Sequence, residues 1–496
     1  MTITAPRSLL PFIGGAQLDS HDGEFIDRRA PGTDEVVSRV AASSPREVTR
    51  AIQGARDAFD SGVWSNETAF HRAAVLNRLA DLIDRDAETL ARIDAEESGK
   101  PIRIARADIG GAATLSRYAA SLAINMQGKS FTTNGPDFTG IVMREPIGAV
   151  GLVIPWNFPA LILMQKLPFA LAAGCTAVIK PSEFTSTSAL HIANLVMEAG
   201  VPQDVVNVVT GAGDVGQALT ASPMLDLISF TGSTVTGQRV METAAATMKK
   251  TSLELGGKAA SIVFDDADLE DAVAGVAHGI AFNNGECCVS QPRLLVQESI
   301  ADEFVARVAE RMKQMKVGQP LDDATDVGAM IHAGHREKVL GFVAGAAEGG
   351  SEIVTGGTAL QGGEFGAGQF VAPTVIDRVT KEASVFTDEI FGPVLTVTRF
   401  ADERAAVDLA NSVAYGLSNT VWSKSIDRTL DLAKGLRSGT VYVNTVIDAP
   451  PQMPFGGYKA SGVGREMGEA GFEEYTELKS VNIRTGRRAD SFLLPG

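Results

Sequence analysis

Cysteine and histidine are scarce, at three and six in 496 residues. So few cysteines exclude a disulfide scaffold and a multi-Cys zinc module. Two of the three, Cys287 and Cys288, are adjacent, a spacing whose geometry disfavours a bridge between them. Free thiols at this density fit a reducing compartment, so the expected location is cytoplasmic. Long apolar runs are also few. Met1 to Gly15 holds one Arg and a short run, Leu9 to Ile13, interrupted by Pro11. It lacks the charged start and continuous apolar core of a signal peptide. The segment 147–164 is nearly all apolar, but Pro155, Asn157 and Pro159 lie at its centre and Lys166 follows it. A polar, twice-broken centre is costly in lipid, so the segment reads as a buried strand and turn. Positive charge is in deficit: 44 Lys and Arg against 60 Asp and Glu give 44 − 60 = −16. That balance argues against nucleic acid or an anionic membrane as partner. No metal is expected either. His332 and His335 have i, i+3 spacing but run into Arg336, Glu337 and Lys338, which reads as the start of a solvated helix.

Glycine is plentiful, at 51 residues against a usual share of ~7%, and implies tight turns and close backbone approaches. At about 150 residues per domain the length suggests three structural units. Ser44 and Glu47 have capping-box spacing, and Val48, Ala51, Ile52, Ala55 and Phe59 follow on one helical face. A second amphipathic run carries Val75, Leu76, Leu79, Leu82, Ile83, Leu90 and Ile93, and a third helix is expected over 102–123. Between Phe131 and Arg144 the turn signal Asn134-Gly135-Pro136 and the alternation around 139–143 predict a hairpin, read as an arm. From Ile147 short apolar strands alternate with helices. Strands are expected at 150–154, 176–179, 205–209, 225–230 and 252–255, then, in a second alternation from near Ala260, at 293–296, 352–354, 394–400 and 440–443. This is the pattern of α/β units with doubly wound, Rossmann-like parallel sheets.

Several short motifs carry chemistry. In Gly285-Glu286-Cys287-Cys288 a thiol can act as nucleophile if it is accessible and its pKa is lowered, although buried small apolar packing is the commoner fate of free Cys. Glu254, inside the apolar strand of Leu253-Glu254-Leu255-Gly256-Gly257-Lys258, is a carboxylate that burial would turn into a general base; a structural ion pair is the alternative. Pro155-Trp156-Asn157-Phe158-Pro159 follows a strand, where Asn157 offers a neutral donor for an oxyanion or simply completes a turn. Lys180-Pro181-Ser182-Glu183 and Phe230-Thr231-Gly232-Ser233 end two further strands, placed to meet a ribose diol and a phosphate, or to serve as ordinary caps. Gly211 to Gly216 spells GxGxxG, but after a mid-sheet strand and with no acid at the expected spacing.

Taken in order, these motifs resemble those of the aldehyde dehydrogenase superfamily. The set comprises PWNFP, KPSE, FTGS, LELGGK with its glutamate 288 − 254 = 34 residues before Cys288, GECC, Glu389-Ile390-Phe391-Gly392-Pro393-Val394 and Pro454-Phe455-Gly456-Gly457-Tyr458-Lys459. By that resemblance the chain is an NAD-dependent, hydrolytic aldehyde dehydrogenase. Cys288 attacks the aldehyde, Asn157 and the Cys288 N–H hold the oxyanion, and Glu254 activates the water that hydrolyses the thioester. Lys166 matches a family lysine that aids proton traffic. The resemblance implies NAD contacts at Ile154, Trp156, Lys180, Ser182, Glu183 and Gly211, at Phe230, Gly232, Ser233, Leu255 and Gly256, and at Glu389 and Phe391. The Glu183 carboxylate would accept ribose hydroxyls and repel a 2′-phosphate, disfavouring NADP. The implied substrate tunnel is walled by Phe158, Gln165, Cys287, Val289, Ala449 and Phe455. Gln165 and Ala449 fall where many relatives carry larger aromatics, which suggests a wide tunnel for bulkier aliphatic, terpenoid or aromatic aldehydes. Glu286 stands where the family often has Gln, and Val289 to Arg293 also departs from its pattern, which bears on the local substrate wall. The rival readings are a CoA-acylating enzyme, which generally lacks the Glu254 base, and a non-catalytic homologue.

The implied organisation is an NAD-binding domain from 1–127 and 147–258, a catalytic domain from 259–460, and an oligomerisation arm and tail from 128–146 and 461–496. The arm and the candidate strand 479–484 imply a homodimer or homotetramer.

Overall fold

The computed structural model describes residues 6–21 and 23–485; Met1–Ala5, within the leader reading, and 486–496, within the tail reading, lie outside them. Parallel strands with apolar residues on both faces need cover on both sides. The first sheet has six strands in the order Gly462–Val463, Lys250–Glu254, Leu227–Thr231, Ala149–Val153, Thr176–Lys180 and Val206–Val208. All its pairings are parallel except the edge strand Gly462–Val463. Successive residues point to opposite faces. Val150 and Leu152 join a cluster with helices Ala69–Arg85, Ile102–Asn125 and Pro159–Ala173, while Ala149 and Val178 face Pro45–Ser61 and Gly213–Ala221. The helix from Pro45 begins as its spacing predicts: Ser44 Oγ accepts from Glu47 N, and the Glu47 carboxylate accepts from Ser44 N.

A second sheet of seven strands runs Glu352–Thr355, Thr374–Asp377, Val394–Phe400, Arg293–Gln297, Ala260–Val263, Ser418–Trp422 and Thr440–Val443. It too is packed on both faces, by two separate apolar clusters. The expected hairpin forms from Lys129–Phe131 and Phe138–Pro146, and Thr476–Arg484 pairs with the long strand at nine positions. Several elements escaped the sequence reading, among them the strands Thr374–Asp377 and Ser418–Trp422 of the second sheet. Arg7–Leu9, Phe25–Arg29 and Val36–Ala41 form a small sheet ahead of the first helix, where short mixed stretches carry little alternation. Gly462–Val463, assigned above to the arm and tail, adds to the edge of the six-stranded sheet. Two residues are too short to show any periodicity.

Buried polar contacts tie the second sheet to the connector that leads into it and to the helix Glu403–Asn411. Arg293, at the start of a central strand, donates to Lys258 O at 2.8 Å, Leu409 O at 3.0 Å and Ala410 O at 2.9 Å. Burial pulls its pKa down to about 9, a sign of the desolvation these bonds offset. Arg293→Met keeps the volume but removes a donor from three carbonyls, of which Leu409 O keeps its bond from Ser412 Oγ, and should cost on the order of 3 kcal/mol. A calorimetric melting temperature close to wild type would contradict that assignment.

Candidate active site

In-register parallel strands end at one edge. Val153 pairs with Lys180 and Phe230, and Thr231 pairs with Glu254. The chain leaves those ends as the Trp156-Asn157 turn, the Lys180–Glu183 turn and the Gly232-Ser233 cap, with Glu254 on the last residue of its strand. The fourth element is the loop Phe282–Cys288. Asn283, Asn284 and Gly285 are all left-handed there, at φ 50°, 63° and 72°. Consecutive left-handed residues are strained unless held, and both asparagines are. Asn283 Nδ2 donates to Asn157 O at 3.1 Å, and Asn284 Nδ2 donates to Gly99 O and Ala329 O. A Cβ on Gly285 would lie 2.2 Å from the Gly392 backbone, so only glycine lets this loop lie against the Glu389–Val394 segment.

Cys288 and Glu254 line one cavity of about 300 Å³. All six expected tunnel residues line it too: Phe158, Gln165, Cys287, Val289, Ala449 and Phe455. Most of the remaining lining is apolar, including Leu161, Phe282, Tyr442 and Met467, and among the described residues it holds no Arg or Lys. Asn157 is buried beside it, and its Nδ2 donates to Glu286 O at 3.0 Å, two residues before Cys288. Behind Phe158 sits a pair the motifs did not reveal: Lys100 Nζ lies 2.6 Å from Asp108 Oδ2 and 4.0 Å from the Phe158 ring centroid. Asp108 itself lines the cavity.

The electrostatics differ from the sequence expectation. Hydrogen bonding with the Cys287 thiol, and then burial, push the Cys288 thiol well above its ordinary value rather than below it. Burial, followed by the negative charge of Glu466, drives Glu254 well above the carboxylate range, against the pull of Lys166. Neither Glu254 oxygen has a hydrogen-bond partner among the described residues. Lys166 is fully buried, ion-paired with Glu466 and donating to Ser229 Oγ at 2.8 Å. Glu466 lines the cavity. Its signal in the sequence was only an acid beside Arg465, which local reasoning leaves on the surface.

A second cleft, of about 710 Å³, opens at the same sheet edge. It is lined by Ile154, Trp156, Lys180, Ser182 and Glu183 on one side and by Phe230, Gly232 and Ser233 on the other. Ser233 Oγ caps the helix Thr234–Ala245, leaving N–H groups of its first turn for an anion. Lys180 Nζ stands 3.8 Å from Glu183, and burial lowers its pKa. Gly211 lies beside the cleft, and Gly213 and Gly216 of the GxGxxG line it at a helix start. Leu255 packs against Gly237, where a Cβ would meet it at 2.4 Å. Glu389 Oε1 accepts from Gly257 N at 2.8 Å, and a Cβ on Gly256 would lie 2.4 Å from Glu389 Oε2. Trp156 stands edge-on to Phe391, with ring centroids 5.4 Å apart. Acceptors for a diol, helix N–H groups for phosphate and an aromatic wall fit a dinucleotide.

His335 corrects the solvated-helix reading. It lies in the first turn of Ala333–Glu348 but is buried, donating from Nε2 to Phe391 O at 2.7 Å. Burial takes its pKa down to about 4. Glu286 also departs from its expected place: its side chain is buried away from the cavity and accepts from Ile331 N at 2.9 Å.

Asp94 Oδ2 accepts from Ala160 N at 3.3 Å, at the start of the helix that follows Asn157. Burial lifts its pKa to about 7, from about 3.9 in an unfolded chain. The folded carboxyl therefore binds its proton more tightly, so the stability present at pH 4 falls as pH rises to 7. Asp94→Asn keeps the acceptor and removes the charge. Its melting temperature should match wild type at pH 4 and exceed it by a few degrees at pH 8; a constant difference across that range would refute the assignment.

The sequence from residue 18 to 481 matches the model of the aldehyde dehydrogenase family. A betaine aldehyde dehydrogenase of Bacillus subtilis (strain 168) is 40% identical over 475 residues, covering 96% of this chain and 97% of that protein. An NADP/NAD-dependent aldehyde dehydrogenase of Escherichia coli (strain K12) is 41% identical, covering 95% of each. Among solved structures, the NAD-dependent aldehyde dehydrogenase of Sinorhizobium meliloti superposes with a TM-score of 0.95 at 43% identity, over 98% of this chain and 96% of that one. The betaine aldehyde dehydrogenase of Staphylococcus aureus, solved in complex with NAD+, gives 0.96 at 36% identity, over 99% and 97%. With the family model matched over residues 18–481 and relatives about 40% identical over nearly the whole length, the chain belongs to the aldehyde dehydrogenase family.

Proposed function

We propose that this aldehyde dehydrogenase oxidises a bulky, largely apolar aldehyde to its acid with NAD, using Cys288 as nucleophile. The observation that carries the reading is one cavity holding the Cys288 thiol, a buried carboxyl without a hydrogen-bond partner among the described residues, and a mostly apolar wall to which no described Arg or Lys contributes. The Cys288 thiol gives its proton to Glu254, which passes it to solvent, and the sulfur adds to the carbonyl carbon as the carbonyl oxygen takes the negative charge. The oxyanion is held by the remaining N–H of the Asn157 amide, whose other N–H the Glu286 carbonyl occupies. When bound, NAD supplies the acceptor for the hydride lost from that carbon. A thioester remains on Cys288. Glu254 then takes a proton from the attacking water, and the acid leaves with the thiol restored.

Enclosure raises the proton affinity of both groups, by the direction of their shifts. Lys166 and Glu466 set the proton affinity of Glu254 from behind. Glu183 and Lys180 hold the adenosine ribose, Glu389 the second ribose, and Phe391 with Trp156 the nicotinamide side. Gln165 and Ala449 leave the tunnel wide. Without a cationic lining residue, an aldehyde bearing a carboxylate gains nothing there. The 259–460 segment supplies the catalytic half and the arm an edge for a second copy, as exposed Phe131, Met143 and Leu478 suggest.

Cys288→Ala should abolish NADH formation. Glu254→Gln should retain one burst of NADH per site and lose steady-state turnover by about 10²-fold. Rapid-quench kinetics on aromatic and aliphatic aldehydes check both. Equal loss of burst and turnover in Glu254→Gln would remove this carboxylate from hydrolysis, and an acyl-CoA product on adding CoA would favour the acylating class.

A further inference from the structure

Glu286 and His335 belong to a closed circuit of contacts around the site. The Glu286 carbonyl, two residues before Cys288, accepts from Asn157 Nδ2 at 3.0 Å and from Asn283 Nδ2 at 3.0 Å. Its side chain runs the other way. Oε1 accepts from Ile331 N at 2.9 Å and lies 3.7 Å from His335 Nε2. Ile331 leads into the helix Ala333–Glu348, whose cap, His332, accepts from His335 N at 3.1 Å. The catalytic loop thus fixes where that helix begins.

His335 passes the constraint onward. Its Nε2 lies 2.7 Å from Phe391 O, and a carbonyl only accepts, so Nε2 carries the proton. Phe391 has φ +62°, a left-handed conformation that is strained for a residue with a side chain unless something holds it. Trp156 closes the ring: it stands edge-on to His335 at 5.7 Å and to Phe391 at 5.4 Å, and it is covalently joined to Asn157. Asn157, Glu286, His335, Phe391 and Trp156 therefore constrain one another in sequence. His335 is not itself a wall of either cavity.

We infer that His335, anchored through Glu286, is a positioning residue for hydride transfer. It holds Phe391 left-handed and so fixes the aromatic side of the cofactor site relative to Asn157 and Cys288. The inference rests on the roles given above to Phe391 and Asn157. It also accounts for an acid at 286 in place of glutamine, since either side chain presents an oxygen to Ile331 N.

The test uses the full-length enzyme and the pairs His335→Leu with His335→Gln, and Glu286→Leu with Glu286→Gln. The glutamine at 335 can still donate to Phe391 O, and the glutamine at 286 can still accept. Two quantities are read: the NADH burst with aldehyde deuterated at C1, and NAD affinity without aldehyde, from quenching of tryptophan fluorescence. His335→Leu should slow the burst by roughly 10-fold, raise its deuterium isotope effect and weaken NAD binding several-fold. His335→Gln should recover most of each, and the Glu286 pair should follow the same order. An unchanged burst and isotope effect in a folded His335→Leu would overturn the inference. So would a His335→Gln variant as impaired as the leucine at the same melting temperature. If His335→Leu does not fold, the Glu286 pair decides by the same readouts. NADH formation that survives in Cys288→Ala would instead sink the reaction scheme itself.

Discussion

Parallel strands in register must finish at the same edge, and the site is built on that constraint. The pairing of Val153 with Lys180 and Phe230, and of Thr231 with Glu254, brings four chain turns together without any of them being adjacent in sequence. The cleft that fits a dinucleotide and the cavity that holds the thiol both open there, sharing Thr231. Shifting one strand by a single residue would turn every side chain over. It would also move Glu254 out of the cavity.

Burial then sets the chemistry. Burial raises the cost of charging the Glu254 carboxyl, where Glu466 adds to that cost and Lys166 relieves it, and the hydrogen bond with Cys287, followed by burial, raises it for the Cys288 thiol. A similar logic runs through Asp94, Lys100, Asp108 and Arg293, which are buried charged groups whose partners are helix ends, carbonyls or each other. Their cost is tolerated where they fix a backbone that must not move.

Much of this was legible in the chain. The long helices announced themselves because a 3.6-residue period over four or five turns is hard to produce otherwise, and the parallel strands because burial on both faces demands continuous apolar runs. Cys288, Glu254 and Asn157 stood out by chemistry that was odd for their surroundings. Glu466, Lys100 and His335 did not. Each looks like an ordinary surface residue beside charged neighbours, and only contacts 300, 8 and 56 residues away show otherwise. The sheet of 7–41 and the edge strand Gly462–Val463 were missed because strands this short, or this mixed, leave no period to read.

The sequence by itself determined which elements form and which side chains could react, because periodicity, caps and motif spacing are local properties of the chain. Only the tertiary structure decided in which direction the proton affinities of the reactive groups move, which carbonyl holds the Asn157 amide, and that Glu286 turns away from the cavity. Those outcomes depend on burial and on partners far away in the chain, and both are properties of the packed molecule.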